Sequence, residues 1–268
     1  MKKLKHLSEI YNSYDTFLID LWGVMHNGVK LYPEAMTVIE NLNKFKKKVV
    51  FLSNAPRPSA NIIDFLQKLK IDKKYLQNVL TSGEAAFKSI NENKFGKKFY
   101  HIGPPKDETL FSKIKENKST LEYSDFILCT GLFNDKRNEL KFYTDLLKNY
   151  KTKKFVCTNP DLTVHKGEVE EYCAGTVAKI FEDIGGKVTY YGKPHPEVYK
   201  ICVKQNERTL VIGDNLRTDI KGANNFNLDS VFITDGIHKS EFNDEENLIF
   251  LLNKYNVKIN FFQKKLNW

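Results

Sequence analysis

No stretch of this 268-residue chain stays apolar for the roughly 20 residues a membrane-crossing helix needs, so nothing in it argues for membrane-spanning helices. The N-terminal run MKKLKHLSEIYNSYDTF is basic. It lacks the apolar core and small-residue cleavage site of a secretory signal, which predicts a cytoplasmic protein. Cysteine is scarce. Cys129, Cys157, Cys173 and Cys202 are widely spaced and form no CxxC pair, which argues against a disulfide framework. Three fall in apolar periodic segments, where a free thiol behaves as a small hydrophobe. Cys173 opens a predicted helix, a place that favours thiolate, but buried structural thiols remain the expectation for all four. Internal repeats, low-complexity tracts and long linkers are missing too. Acidic residues are in deficit, 33 against 42 lysines and arginines, for a net charge of +9. The excess lysines lie in short scattered groups such as Lys46-Lys47-Lys48, which reads as a solvated face and not as a nucleic-acid groove. Such a field would still concentrate small anionic substrates.

What is present reads as an ordinary globular chain, 41% hydrophobic and 28% charged, long enough for one large domain or two modest ones. Strands and helices alternate in the first half. Thr16 to Asp20 and Val49 to Leu52 are short apolar runs. Helices follow each, the first opened by Pro33 with Ala35, Val38, Ile39, Leu42 and Phe45 on one face, the second with Ile62, Leu66 and Leu69 inward. The pattern returns at Val188 to Tyr191, Leu210 to Ile212 and Ser230 to Ile233, and a helix carrying Leu248, Leu251, Leu252 and Tyr255 closes it. This alternation predicts an α/β fold on a parallel sheet. The middle, about 92 to 188, has strands at Phe99–Ile102, Phe126–Cys129 and Phe155–Cys157 and helices at about 136–150 and 173–184. Pattern alone leaves it either as more of the same sheet or as an inserted domain.

Asp20, Ser53 and Asp214 each come at the carboxyl end of an apolar strand, and Lys193 lies just past another. In an open parallel sheet those ends converge on one crevice. Carboxylates there supply hard oxygen ligands for Mg²⁺, and a lysine with a hydroxyl neutralises and orients phosphate oxygens. Singly, each has a plainer reading as a turn, a cap or a surface lysine. The case rests on their convergence.

DLWGV at 20–24, LSN at 52–54, GKP at 192–194 and GDNLRTD at 213–219 resemble, in order and separation, the four motifs of the haloacid dehalogenase superfamily. TNPD at 158–161, CAG at 173–175 and GKPHPEVY at 192–199 resemble its class IIA, NagD-like subgroup. The resemblance implies a Rossmann-like core, residues 1–91 and 189–268, with an α/β cap of the C2 type inserted at 92–188. It further implies a Mg²⁺-dependent phosphatase acting on a small phosphorylated metabolite. Asp20 would be the nucleophile forming an aspartyl-phosphate. Ser53 and the backbone of Asn54 would hold the phosphoryl oxygens, and Lys193 would pair with phosphate and Asp20. Asp20, Asp214 and the backbone carbonyl of Trp22 would hold the metal. Asn215 and Asp219 would support it from behind, unless Asp219 merely starts a helix.

At Trp22 the chain departs from the pattern, since phosphatases of this superfamily carry there a second Asp that protonates the leaving group and later activates water. An indole N–H only donates, and losing a general acid/base costs ~10²–10⁴-fold. Turnover is therefore expected to favour good leaving groups or to borrow an acid. His26 is the nearest candidate, against the plainer expectation that it braces its loop. Trp22 either stacks on a substrate ring or packs beneath the cap. Asp161 and His165, in a polar turn after a cap strand, are either substrate-facing or solvated. The rivals are a protein that binds a phosphorylated ligand without efficient turnover, a dehalogenase on the same core, and a nucleic-acid binder. A homo-oligomer stays open. The C-terminal Phe261, Phe262 and Trp268 are expected to pack on the core.

Overall fold

A computed structural model describes residues 1–166 and 169–268. In chain order the strands are β1 (Lys2–Lys3), β2 (Thr16–Ile19), β3 (Lys48–Ser53), β4 (Val79–Thr81), β5 (Phe99–Ile102), β6 (Phe126–Cys129), β7 (Lys154–Cys157), β8 (Thr163–Lys166), β9 (Val169–Tyr172), β10 (Val188–Tyr190), β11 (Thr209–Gly213), β12 (Asp229–Ile233) and β13 (Phe261–Gln263). The helices are α1 (Pro33–Lys44), α2 (Ser59–Lys68), α3 (Ser82–Asn91), α4 (Leu140–Leu147), α5 (Ala174–Asp183), α6 (Pro196–Cys202), α7 (Lys221–Asn225) and α8 (Glu245–Tyr255).

Among the described residues, one sheet has seven strands in the order β1-β13-β12-β11-β2-β3-β4, all parallel. From β2 the chain moves outward to β3 and β4, and on its return β11, β12 and β13 move the other way. The order therefore reverses between β2 and β11, and the crevice of an open α/β sheet lies at that reversal. Alternate residues of β2 feed opposite faces. Phe17 and Ile19 pack with Ala35, Val38, Ile39 and Leu42 of α1 and Ile62 and Leu66 of α2. Leu18 packs with α3 and α6 through Ala86, Ile90, Val198 and Tyr199. A strand covered on both faces reads as an unbroken apolar run, which is why TFLI was legible as one.

A second sheet, order β10-β7-β6-β5, is also parallel. One of its faces carries α4 and α5, with Tyr143, Leu147, Val177 and Phe181 in the core. From the other face, Phe99, Phe126, Leu128 and Val156 join the same apolar cluster as Leu18, Leu52 and Val211 of the large sheet. The two sheets are thus welded through one core cluster.

Several expectations need correction. Val188–Tyr190 pairs with Phe155–Cys157 of β7, so this strand belongs to the smaller sheet and a division at 188/189 cuts through it. Its apolar pattern could not say which sheet would receive it. Phe45 lies just past α1, 44% exposed, stacked on Trp268. The helix expected at about 136–150 is shorter, Leu140–Leu147. The polar turn expected around His165 is an antiparallel hairpin, β8 with β9. All four cysteines are buried, and burial raises the Cys173 thiol far above its usual range. The C-terminal segment packs on the core as expected, Phe262 entering the sheet in β13.

Candidate active site

Asp20 leaves β2 and Asp214 leaves β11, the two strands that flank the reversal. Both side chains are buried. Lys193, 3% exposed, reaches in two residues after Tyr191, whose chain has just left β10. Its Nζ donates to Asp20 Oδ1 at 2.5 Å and to Asp219 Oδ1 at 2.6 Å. Burial works against the ammonium, but the charges of Asp20, Asp219 and Asp161 outweigh it and keep Lys193 protonated. Asp219 therefore does more than brace a loop. Its other oxygen accepts the Asn215 N–H at 3.2 Å, while Asn215 caps the following helical turn by accepting from the Arg217 N–H at 2.9 Å.

Carboxylate oxygens of Asp20, Asp214 and Asp219 lie within 4.8 Å of one another. Lys193 answers two of these charges, and Asp214 is left facing them. Burial, then Asp20 and Asp219, push its carboxyl far up. Burial likewise raises Asp20, against the pull of Lys193. Hard, oxygen-only donors with an uncompensated negative charge suit Mg²⁺, and the residues present fit that ion. The Asp214 carboxylate is pinned by the Ile237 N–H, 2.7 Å from Oδ2. It also lies against Gly23, where a β-carbon would come within 2.0 Å of Oδ2, so that motif position admits only glycine. The Ile237 contact was missed in the sequence, although it follows β12 as the other site residues follow their strands.

Ser53 ends β3 and its hydroxyl accepts the Ala55 N–H at 3.2 Å, shaping the loop. Asn54 is the joint of the site. Its Oδ1 accepts the Lys193 N–H at 2.7 Å, and its Nδ2 donates to the Lys193 carbonyl at 3.1 Å and to Asp161 Oδ1 at 3.2 Å. Asp161 thus reaches the crevice from the loop after β7. Burial lifts its carboxyl to about 6, although Lys193 pulls the other way. Ser82, unnoticed in the sequence, fastens the same loop by donating to the Thr158 carbonyl at 2.5 Å. His165 lies in β8 opposite Glu170; its side chain falls outside the described residues.

Two expectations at the first motif change. His26 is 2% exposed, and its Nδ1 accepts the Gly28 N–H at 2.9 Å. Burial alone drops it to about 4. A neutral ring tied into its own loop has no proton to lend near neutrality, so His26 is the loop brace and not the borrowed acid. Trp22 meets His26 edge-on, ring centroids 5.2 Å apart, and lies over Gly28. It packs on its own loop.

Residues 17–115 match the family described as haloacid dehalogenase-like hydrolase, and residues 190–249 the one described as HAD-hydrolase-like. Ribonucleotide monophosphatase NagD of Escherichia coli is 32% identical over 88 residues, which span 31% of this chain but 34% of that protein. The acid sugar phosphatase of Staphylococcus epidermidis is 24% identical over 234 residues, 85% of this chain and 89% of that one. A haloacid dehalogenase-like family hydrolase from Brucella suis shares the fold across 98% of this chain and 99% of its own, with a TM-score of 0.85 and 25% identity. The seven-stranded sheet, the cap inserted into it and the four motifs gathered at its switch point agree with these matches. The chain belongs to the haloacid dehalogenase-like hydrolases, in their class IIA, NagD-like branch.

Proposed function

We propose that this protein is a Mg²⁺-dependent phosphomonoester hydrolase that uses Asp20 as nucleophile on a small phosphorylated metabolite in the cytoplasm. The observation that carries the reading is the pairing of Lys193 with Asp20 and Asp219 beside the unanswered Asp214 carboxylate. One cation site and one fixed ammonium are what a dianionic phosphoryl group requires. Its relatives' names, phosphatases for sugars and nucleotides, agree.

Asp20, Asp214 and the backbone carbonyl of Trp22 would hold Mg²⁺, which when bound offsets the charge of the phosphoryl oxygens. Asp20 attacks phosphorus with the carboxyl oxygen that Lys193 does not hold, and the ester bond breaks. Lys193 keeps the nucleophile aligned and faces the transferring group. Ser53 and the backbone at Asn54 orient its oxygens. The cap loop at Asp161 and the hairpin that carries His165 would select the rest of the substrate.

The test is phosphate release from acetyl phosphate, para-nitrophenyl phosphate and a sugar phosphate, with Mg²⁺ or EDTA, beside Asp20→Asn. The expected result is Mg²⁺-dependent release that Asp20→Asn lowers at least ~10³-fold. Release that survives the substitution would overturn the nucleophile. Trp22 favours a second reading, a protein that binds a phosphorylated ligand without efficient turnover. Saturable binding with no release from any of the three would establish it.

A further inference from the structure

We propose that Asp161, brought to the crevice by the cap loop, is the general acid and base of this enzyme in place of the carboxylate that Trp22 has displaced. The inference rests on the phosphatase reading above and adds to it the identity of the proton carrier.

Asp161 is singled out by its position and by what already engages the other groups at the site. Trp22 has no exchangeable acidity of use, and His26 is spent on the Gly28 N–H. Lys193 is locked between Asp20 and Asp219, which hold its charge in place. Asp219 is engaged by Lys193 and the Asn215 N–H, and Asp214 by the Ile237 N–H at the cation site. Asp161 is different. It comes from the opposite wall, and Asn54, the same amide that grips both the N–H and the carbonyl of Lys193, holds its Oδ1. One side chain therefore sets its distance from the catalytic lysine. Its loop is itself fixed: the Asp161 N–H donates to Asn159 Oδ1 at 3.0 Å, and the carbonyls of Pro160 and Asp161 lie against Gly175 so closely that a β-carbon there would sit 2.4 Å from each. Asp161 enters the crevice from the loop after β7 and Asp20 from the end of β2, so the proposal puts Asp161 on the side from which the alcohol departs.

The charged and titratable groups that act on Asp161 are Lys193 and Asp219 across the crevice, with the Asp20 carboxylate and the Cys157 and Cys173 thiols also within its field. With its carboxyl near 6, both protonation states are populated close to neutrality, as a group that gives and then retrieves a proton needs. In the first half-reaction Asp20 bonds to phosphorus, the ester P–O bond breaks, and the Asp161 proton passes to the departing alkoxide. In the second, Asp161 as carboxylate takes a proton from water whose oxygen bonds to phosphorus. The Asp20–phosphorus bond breaks, inorganic phosphate leaves, and Asp161 is protonated again.

The test compares the parent, Asp161→Asn and Asp20→Asn on para-nitrophenyl phosphate, whose leaving group needs no proton, and on an alkyl phosphate, whose leaving group does. Asp161→Asn is expected to lower alkyl phosphate turnover ~10²–10⁴-fold. It should leave the first burst of nitrophenolate within about tenfold of the parent and let the phosphorylated protein accumulate. The parent's alkyl phosphate rate should fall as pH rises through about 6, and that limb should vanish in the variant. An equal fold-loss on both substrates would mark a structural role and overturn the proposal. So would no loss on either, or a parent that cleaves the aryl but not the alkyl ester. Should Asp20→Asn still release phosphate, the phosphatase reading itself has failed, and the two failures are thereby told apart.

Discussion

Lys193 holds two carboxylates at hydrogen-bond distance while 3% exposed. Removing one partner of a buried ion pair leaves the other charge without water or counter-ion, a loss of about 3–5 kcal/mol. Lys193→Met is therefore expected to lower stability by about that much in urea titrations run in EDTA. Mg²⁺ should return part of it, since a cation at Asp20 and Asp214 answers the same charges. The complement is Asp214→Asn. In the parent, Mg²⁺ at a hundred times its Kd adds about 2.7 kcal/mol of stability. The variant should lose that gain and also tolerate EDTA better, because it no longer buries an unanswered carboxylate. A Mg²⁺-induced rise in melting temperature unchanged by Asp214→Asn would place the ion elsewhere.

At the scale of elements the site depends on one joint, where the chain leaves β10 and crosses to the large sheet. Gly192 there has φ +114°, and a β-carbon on it would come 2.6 Å from Asn54 Oδ1 and 2.8 Å from Pro160 Cδ. Gly192→Ala is expected to push Asn54 off Lys193 and Asp161 together. The expected cost is about 1–3 kcal/mol in stability and at least tenfold in phosphate release, measured beside Asp161→Asn to separate the two effects. The sequence disclosed this region unevenly. Asp20, Ser53 and Asp214 were legible because apolar runs as plain as TFLI and LVI end on them. Sheet membership of β10 was not, because VTY looks the same whether it pairs with β7 or with a core strand. The outer strands β1 and β13 escaped notice because two lysines and three residues give no period to read. The hairpin β8–β9 is mostly polar, and β9 is exposed along nearly its whole length, so hydrophobic alternation had nothing to report. The contact between Asn54 and Asp161 joins residues 107 positions apart, and no local pattern encodes it.

The whole molecule shares one apolar cluster across both sheets, with Leu18 and Val211 below and Phe126 and Val156 above, so core and cap are expected to unfold together. How that common stability responds to acid follows from groups whose contributions oppose. His26 in the core and His101 in the cap are both held near 4 by burial, against an ordinary value of 6.5. Between those values the unfolded chain takes a proton that the native one refuses. Each histidine's contribution is therefore intact above about 6.5 and is lost as pH falls toward 4. At pH 5 the loss is roughly 2 kcal/mol per fully buried ring. Asp161, raised to about 6, acts in the opposite sense, since the native chain binds its proton first and acid favours folding in that window. A bare pH–stability curve mixes the two signs, so the informative quantity is a difference between variants. His26→Gln keeps an acceptor for the Gly28 N–H but cannot charge. Its stability loss between pH 7.5 and pH 5, from urea titrations, should be smaller than the parent's by about 2 kcal/mol. Asp161→Asn should shift the same difference the other way. If His26→Gln and the parent lose equally, the ring is not held neutral in the native protein, and the case for excluding His26 as the acid falls with it.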